Sequence, residues 1–158
     1  MMLTPQQIDE LGPEVLPFER KDFSRPVEEG EDILFDTFIH DVSSMGKPVN
    51  VVKVSSETAL QQSRTGCYLW IIDKYGLKIL FEAIPNLEAK RGVVCHTNIT
   101  GGQPALQGGE LWFGDDDKVY LNYQSGRYGS NRISQRQAIL AYFRSLGFTM
   151  VPLGDVRR

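Results

Sequence analysis

The chain of 158 residues has few of the side chains that most often build metal and redox centres. It contains two cysteines and two histidines, with no Cys-x-x-Cys pair and no His-Glu-x-x-His segment. A multi-histidine metal centre is therefore excluded, and the acidic run Asp115–Asp117 is more simply explained as a turn. Cys67 and Cys95 lie in apolar segments, so we expect buried free thiols rather than a disulfide or a metal site.

Long apolar runs and leader sequences are also missing. No apolar run approaches the roughly 20 residues of a membrane-spanning helix. The N-terminus, "MMLTPQQIDELG", has neither the basic nor the apolar region of a secretion signal. The phosphate-binding Gly-rich loop that ends in Lys-Ser/Thr is absent as well. We therefore expect a cytoplasmic protein that has no membrane partner and uses no cofactor.

Charge is distributed unevenly along the chain. Residues 1–41 contain eleven acidic and three basic residues, whereas residues 42–158 contain nine acidic and fourteen basic residues. We expect residues 1–41 to form an acidic N-terminal extension that packs on an α+β domain formed by residues 42–158. The extension is either a solvated arm or a segment that competes with anions for the basic surface of the domain.

The middle of the chain has the pattern of an antiparallel sheet. "CYLWIID" and "LKILFEAI" flank "KYG", and "GELWFG" and "KVYLNY" flank "DDD", so each pair predicts a β-hairpin. The segments "PVNVVKVS", "RGVVCHTN" and "FTMVPLG" predict further strands.

Helices are predicted before and after this sheet. "TPQQIDELG" combines Thr4 as a cap, Pro5 at the first helical position and Gly12 as the stop. "SSETALQQSR" and "ISQRQAILAYFRSLG" predict two more helices, and "DILFDTFIHDV" has apolar residues at helical spacing, although a strand also fits it. The pattern predicts a single α+β domain with a mainly antiparallel sheet of four to six strands and helices packed on one face.

Polar residues gather where the predicted strands begin and end. His96 and Thr97 close one strand, Glu110 opens the next, and the turn Ser125–Tyr128 follows a third. Neighbouring strands lie about 5 Å apart, so these side chains could share one sheet edge. Histidine and glutamate suit acid–base catalysis near neutral pH, and arginine suits a phosphate. Each residue also has a purely structural interpretation, as a hydrogen-bonded histidine, a solvated strand start or an ordinary turn.

The run "HTNITGGQPALQGGELWFGDDDKVYLNYQSGRYG", followed by a helix and "SLGFTMVPLG", resembles a family of bacterial domains. These domains occur as small free-standing proteins and at the C-termini of polymorphic toxins and effectors. The run is also similar to the C-terminal region of plant IQ-motif calmodulin-binding proteins, although no IQ segment is present here. The shared pattern is His-Ser/Thr, Gly-Gly-Glu and Ser-Gly-His/Arg-Tyr, and the resemblance spans Cys67 to Asp155. The matching positions are His96, Thr97, Glu110, Ser125, Gly126, Arg127 and Tyr128.

The resemblance implies a toxin-like or effector-like enzyme with catalytic residues His96, Glu110 and Arg127. The substrate-binding residues that it implies are Thr97, Ser125, Gly126 and Tyr128. Arg127 stands where many members have a second histidine, so a two-histidine mechanism is not expected. A shorter likeness of "LNYQSGRYGSNRI" to barnase-type ribonucleases implies that Arg132 binds phosphate, although Lys118 stands where those enzymes have a glutamate base.

Three functions remain open at this point. The first is an enzyme that acts on RNA or a nucleotide by metal-independent acid–base chemistry. The second is an NAD-using enzyme similar to ADP-ribosyltransferases, suggested by "CHTN", "GEL" and "KVYL", although Glu110 precedes the tyrosine and so has the wrong order for that role. The third is a non-catalytic regulatory or immunity-type binding protein. The expected partners are nucleic acid or a nucleotide, or a protein such as a cognate immunity protein or a regulator.

Overall fold

A computed structural model describes residues 2–17, 26–128 and 132–154. Its elements in chain order are α1 (Pro5–Leu11), β1 (His40–Asp41), α2 (Val42–Met45), β2 (Lys53–Val54), α3 (Ser56–Leu60), β3 (Tyr68–Asp73), β4 (Gly76–Phe81), α4 (Thr97–Thr100), β5 (Gln107–Gly114), β6 (Lys118–Leu121), α5 (Ile133–Ser145) and β7 (Thr149–Pro152). None of the helices within these ranges is long and apolar enough to cross a membrane.

Within the described residues the strands form one sheet of seven, in the order β1-β4-β3-β5-β6-β7, with β2 paired to β5 beyond the first residue of β3. Four of the neighbouring pairs are antiparallel, whereas β2–β5 and β6–β7 are parallel. The predicted α+β class and the single domain with a mainly antiparallel sheet are confirmed. The sheet has one strand more than the largest number expected.

Both faces of the sheet are covered. On the first face, α1 and α5 pack on strand residues such as Trp70 and Leu111, and the Trp70 and Phe143 rings meet edge to face with centroids 5.5 Å apart. On the second face, single-turn helices α3 and α4 contribute Ala59 and Ile99 to two smaller apolar clusters. The two longer helices thus share one face, and only the short helices lie on the other. All eight residues of β5, which lies between these layers, are buried.

The predictions for several elements hold in detail. Thr4 Oγ1 accepts the Gln7 amide hydrogen while Gln7 Oε1 accepts that of Thr4, which closes a capping box at the start of α1. Both hairpins are present, and the acidic run between β5 and β6 forms the expected turn, in which Asp117 has a positive φ of 62°. Ile133, whose spacing from the other apolar residues of α5 predicts a place on the buried face, is instead the first residue of that helix and is 74% exposed.

The strand predicted at "RGVVCHTN" is wrong. Val93 makes only an isolated bridge with Pro85, and His96 precedes the single-turn helix α4. The cause is Asn98, whose Oδ1 accepts the Cys95 amide hydrogen at 2.9 Å while its own amide donates to the Cys95 carbonyl at 3.0 Å. A local turn of this kind uses the backbone groups that a strand would pair with its neighbour.

Two further segments also differ from their predicted form. Within "DILFDTFIHDV" the chain makes turns and then joins the sheet as β1, because Phe35 donates its amide hydrogen to the Asn98 carbonyl and Asp41 caps a new helix, α2. Within "PVNVVKVS" only Lys53 and Val54 form a strand. Upstream, Val15 pairs with Ala105, so both described parts of residues 1–41 contact the sheet domain.

We expect Gly109→Ala to destabilise the fold strongly, because a Cβ at this position would lie 2.7 Å from the Trp70 ring. That ring is packed in the core and cannot move away without displacing its neighbours. The free energy of unfolding, measured by urea denaturation, should fall by roughly 3 kcal/mol or more. The control is Gly92→Ala, at a glycine of positive φ with open space around it, which should lose only about 1 to 2 kcal/mol. Equal losses in the two variants would contradict this account of β5.

Candidate functional site

The three sequence motifs meet at β5. His96 Nε2 donates a hydrogen bond to the Gly109 carbonyl at 2.8 Å. A Cβ on Gly108 would lie 3.4 Å from His96 Cδ2 and 3.3 Å from Tyr128 Cβ. The absence of a side chain at Gly108 therefore lets the imidazole and the tyrosine pack directly on the strand. The histidine motif, the Gly-Gly-Glu motif and the Ser-Gly-Arg-Tyr turn are thus neighbours, although no strand ends at His96.

His96 is neutral near pH 7. The imidazole is buried, and its pKa is lowered to about 4, chiefly by burial and further by the positive charge of Arg91. The Gly109 carbonyl and the negative charge of Glu82 oppose this shift without reversing it. A neutral imidazole that donates through Nε2 keeps its lone pair on Nδ1, and that atom can act as a base.

The carboxyl group of Glu110 is held inside the sheet domain. Asn122 Nδ2 donates to Glu110 Oε1 at 3.0 Å, and the Glu110 amide donates to Asn122 Oδ1 at 2.9 Å. Cys67 Sγ lies 3.6 Å from the other oxygen, Glu110 Oε2. One ligand atom each of Cys67, Glu82 and Glu110 lies within 4.8 Å of the other two, and all three residues are buried. At the outer side of this cluster, Arg64 Nη1 is 3.1 Å from Glu82 Oε1.

Sequence reasoning missed Cys67 and Glu82 as members of this cluster. The signal was the first hairpin, in which Asp73 pairs with Gly76. Counting outward along that hairpin places Cys67 opposite Glu82, and the Glu82 amide indeed donates to the Cys67 carbonyl at 3.0 Å. The proximity of Glu110 follows only from the pairing of β3 with β5, which no short-range pattern specifies.

Arg127 is buried against the N-terminal acidic extension. Its Nη2 lies 2.5 Å from Glu31 Oε1, and its Nη1 donates to the Pro26 carbonyl at 3.0 Å. The two side chains are 3% and 5% exposed, so this is an interior ion pair. At Glu31 the extension is therefore not a solvated arm: its carboxylate occupies the position at which Arg127 would hold an anion.

The turn after β6 is built around Ser125. Its Oγ accepts the amide hydrogens of Arg127 and Tyr128 at 3.3 and 3.0 Å. Gly126 is the exposed tip of this turn. Gly129 and Asp155, which close the segments that carry the family resemblance, lie outside the described residues. The Ser125 hydroxyl thus fixes the direction in which the arginine and the tyrosine leave the sheet.

The other two residues expected to bind substrate make interior contacts. The Tyr128 hydroxyl donates to the Gln103 carbonyl at 2.6 Å and lies 2.9 Å from Thr100 Oγ1, and burial raises the pKa of Tyr128 to about 12. Thr97 Oγ1 lies 3.1 Å from Cys95 Sγ, and both cysteines are buried thiols without a disulfide, as expected. These contacts fix α4 and the turn after β6 relative to each other.

Arg132 does not join this site. It precedes α5, and with Asp9 and Gln137 it lines a surface pocket where α1 packs against α5, on the first face of the sheet. His96, Glu110 and Arg127 line neither this pocket nor a second surface pocket around Glu28 and Lys90. The arginine implied by the ribonuclease likeness therefore lines a pocket to which His96, Glu110 and Arg127 do not contribute.

No protein-family model, curated protein or solved structure matches this chain.

We expect the stability of the fold to depend on the charge state of His96. Its folded-state pKa of about 4 lies below the unfolded value of 6.5, so the unfolded state binds more protons between these two values, and stability is lost as the pH falls through this window. Relative to pH 7.5, the free energy of unfolding at pH 5 should be about 2 kcal/mol lower on account of this group. His96→Gln should remove this part of the pH dependence.

The control for that measurement is His40→Gln. His40 Nε2 makes a comparable hydrogen bond, to the Gly46 carbonyl at 2.9 Å, at an exposed position. This variant should keep the pH dependence of the unmodified chain. An unchanged pH dependence in His96→Gln would contradict a buried neutral imidazole.

We expect Arg127→Met to destabilise the fold by about 3 kcal/mol or more, because it removes the guanidinium that faces the buried Glu31 carboxylate. Combining it with Glu31→Leu should cost less than the sum of the two single changes, as measured in a double-mutant cycle by urea denaturation. The control is Lys53→Met in the exposed pair with Asp117, which should change stability by less than about 1 kcal/mol. Strict additivity at Glu31 and Arg127 would contradict a direct coupling of the pair.

Proposed function

We propose that this protein is a toxin-like or effector-like enzyme that acts on RNA or a nucleotide by acid–base chemistry. The observation that carries the proposal is the meeting of His96, Glu110 and the Ser125–Tyr128 turn at β5, from three separate parts of the chain. In this proposal His96 Nδ1 takes up a proton from the attacking hydroxyl. Glu110 is the second proton-transfer group, and Arg127 neutralises the charge that develops on the phosphate.

The preorganisation of His96 supports this assignment. The Gly109 carbonyl fixes the tautomer, and burial keeps the ring neutral at the pH at which a base must hold no proton. The imidazole thus presents Nδ1 as its acceptor without a change of tautomer, and its lowered pKa makes it a base that releases its proton readily.

In this proposal a substrate must compete with Glu31 for Arg127. A phosphate can bind the guanidinium with two parallel hydrogen bonds, as a carboxylate does. In this proposal the substrate phosphate replaces the Glu31 carboxylate, and the acidic extension keeps the site closed when substrate is absent. This agrees with the positive balance of residues 42–158, which favours a polyanion.

A second candidate function is a non-catalytic regulatory or immunity-type binding protein. It is favoured by the same Glu31–Arg127 pair, because both side chains are buried and pair with each other. The exposed part of the extension presents carboxylates such as those of Glu28 and Glu29. A surface of this charge suits a basic protein partner.

We expect RNA of mixed sequence, incubated with the full chain in the presence of EDTA, to be cleaved, and His96→Asn to reduce the rate by about 100-fold or more. Glu31→Gln should raise the rate, because a neutral amide competes less well than a carboxylate for Arg127. Products are resolved on denaturing gels. Parallel incubations with mononucleotides and with NAD, followed by chromatography, identify the substrate class.

His40→Asn is the matched control for cleavage and should leave the rate unchanged, while thermal melting shows that each variant is folded. Cleavage that persists in folded His96→Asn would overturn the assigned base. Failure of both the unmodified chain and Glu31→Gln to act on RNA or a nucleotide would leave the binding function as the better account. Consumption of NAD alone would select the transferase alternative.

A further inference from the structure

A thiol and two carboxyl groups converge on one point inside this protein. Cys67 precedes β3, Glu82 follows β4 and Glu110 belongs to β5, so three neighbouring strands each contribute one group. Their ligand atoms lie within 4.8 Å of one another, and all three residues are buried. The sequence offers no spacing motif for such a set, because the three positions are brought together only by the strand order.

The spacing of the atoms fits a tetrahedral zinc ion. A thiolate sulfur binds Zn²⁺ at about 2.3 Å and a carboxylate oxygen at about 2.0 Å, so the two ligand atoms of a tetrahedral site lie about 3.5 Å apart. The distance from Cys67 Sγ to Glu110 Oε2 is 3.6 Å. A sulfur ligand favours zinc over magnesium or calcium, which prefer oxygen ligands alone.

The two carboxylates are oriented by groups outside the cluster. Asn122 Nδ2 holds Glu110 through Oε1, and this leaves Oε2 directed at the thiol. Asn122 is in turn fixed by Gln62, whose Oε1 accepts a hydrogen bond from Nδ2 at 2.7 Å. Arg64 holds Glu82 through Oε1 in the same way. Hydrogen bonds to the far oxygen of a carboxylate ligand are the usual way in which a protein orients a metal site.

One residue in contact with the cluster reaches the surface. The Arg64 side chain, whose Nη1 lies 3.1 Å from Glu82 Oε1, is 76% exposed, although Glu82 itself is buried.

We propose that Cys67, Glu82 and Glu110 form a binding site for one Zn²⁺ ion. The thiol gives up its proton to solvent when the metal binds, and three protein ligands leave the fourth tetrahedral position to water or to a substrate atom. The inference does not rest on the proposed function. Where both hold, Zn²⁺ slows cleavage, because Glu110 cannot bind the ion and transfer a proton at the same time.

The test is titration of the full chain with Co²⁺, which reports a tetrahedral thiolate site through its visible d–d bands and a thiolate-to-cobalt charge-transfer band. We expect both at one equivalent of Co²⁺ and their loss when Zn²⁺ is added. Cys67→Ser should abolish the charge-transfer band, and the isosteric changes Glu82→Gln and Glu110→Gln should each weaken Co²⁺ binding at least tenfold.

The matched control is Cys95→Ser, at the other buried free cysteine, which should leave the spectrum unchanged. Zn²⁺ should raise the melting temperature of the unmodified chain and of Cys95→Ser but not that of Cys67→Ser, so a variant that folds poorly is still informative. Absence of a charge-transfer band in the unmodified chain, or its persistence in Cys67→Ser, would overturn the proposal. Neither readout depends on catalysis, so loss of RNA cleavage and loss of metal binding can be told apart.

Discussion

The architecture depends on how closely side chains approach the backbone of β5 at Gly108 and Gly109. On one face of the sheet His96 and Tyr128 pack over Gly108, and on the other Trp70 packs over Gly109. Trp70 Nε1 then donates to the Glu110 and Asn122 carbonyls, at 3.2 and 3.3 Å. Because Gly108 and Gly109 have no side chains, His96 and Tyr128 contact β5 from one face of the sheet and Trp70 contacts it from the other. Both layers therefore pack directly on this strand.

The close packing of side chains on β5 also explains why polar groups are buried on the second face of the sheet. Glu110 lies between an apolar cluster that contains Ile71 and Tyr128 and another that contains Cys67 and Trp112. A buried carboxylate is tolerated only where hydrogen bonds replace its water. Asn122 supplies one of these from its side-chain nitrogen to Glu110 Oε1, and its side-chain oxygen accepts the hydrogen of the Glu110 backbone amide. The hydrogen bonds between Glu110 and Asn122 therefore join β5 to the end of β6 within a polar layer that borders both apolar clusters.

Short-range patterns in the sequence were enough to predict the hairpins, α1 and α5. A turn, a cap or an alternation of apolar residues acts within a few residues, as in the capping box of Thr4 and Gln7. The same patterns failed at His96, because Asn98 gives the backbone a local turn that an alternating apolar run does not reveal. The grouping of Cys67, Glu82 and Glu110 was beyond such patterns, since it requires the order of three strands and not only their existence.

One contact explains part of the uneven distribution of charge along the chain. From composition alone, an acidic extension is equally compatible with a solvated arm and with a competitor for anions. The buried pairing of Glu31 with Arg127 decides between these interpretations at that position, because a solvated arm would not desolvate a carboxylate. Such a pair is stable only while the extension stays in place. Any anion that binds Arg127 must therefore provide at least the interaction energy that Glu31 provides now.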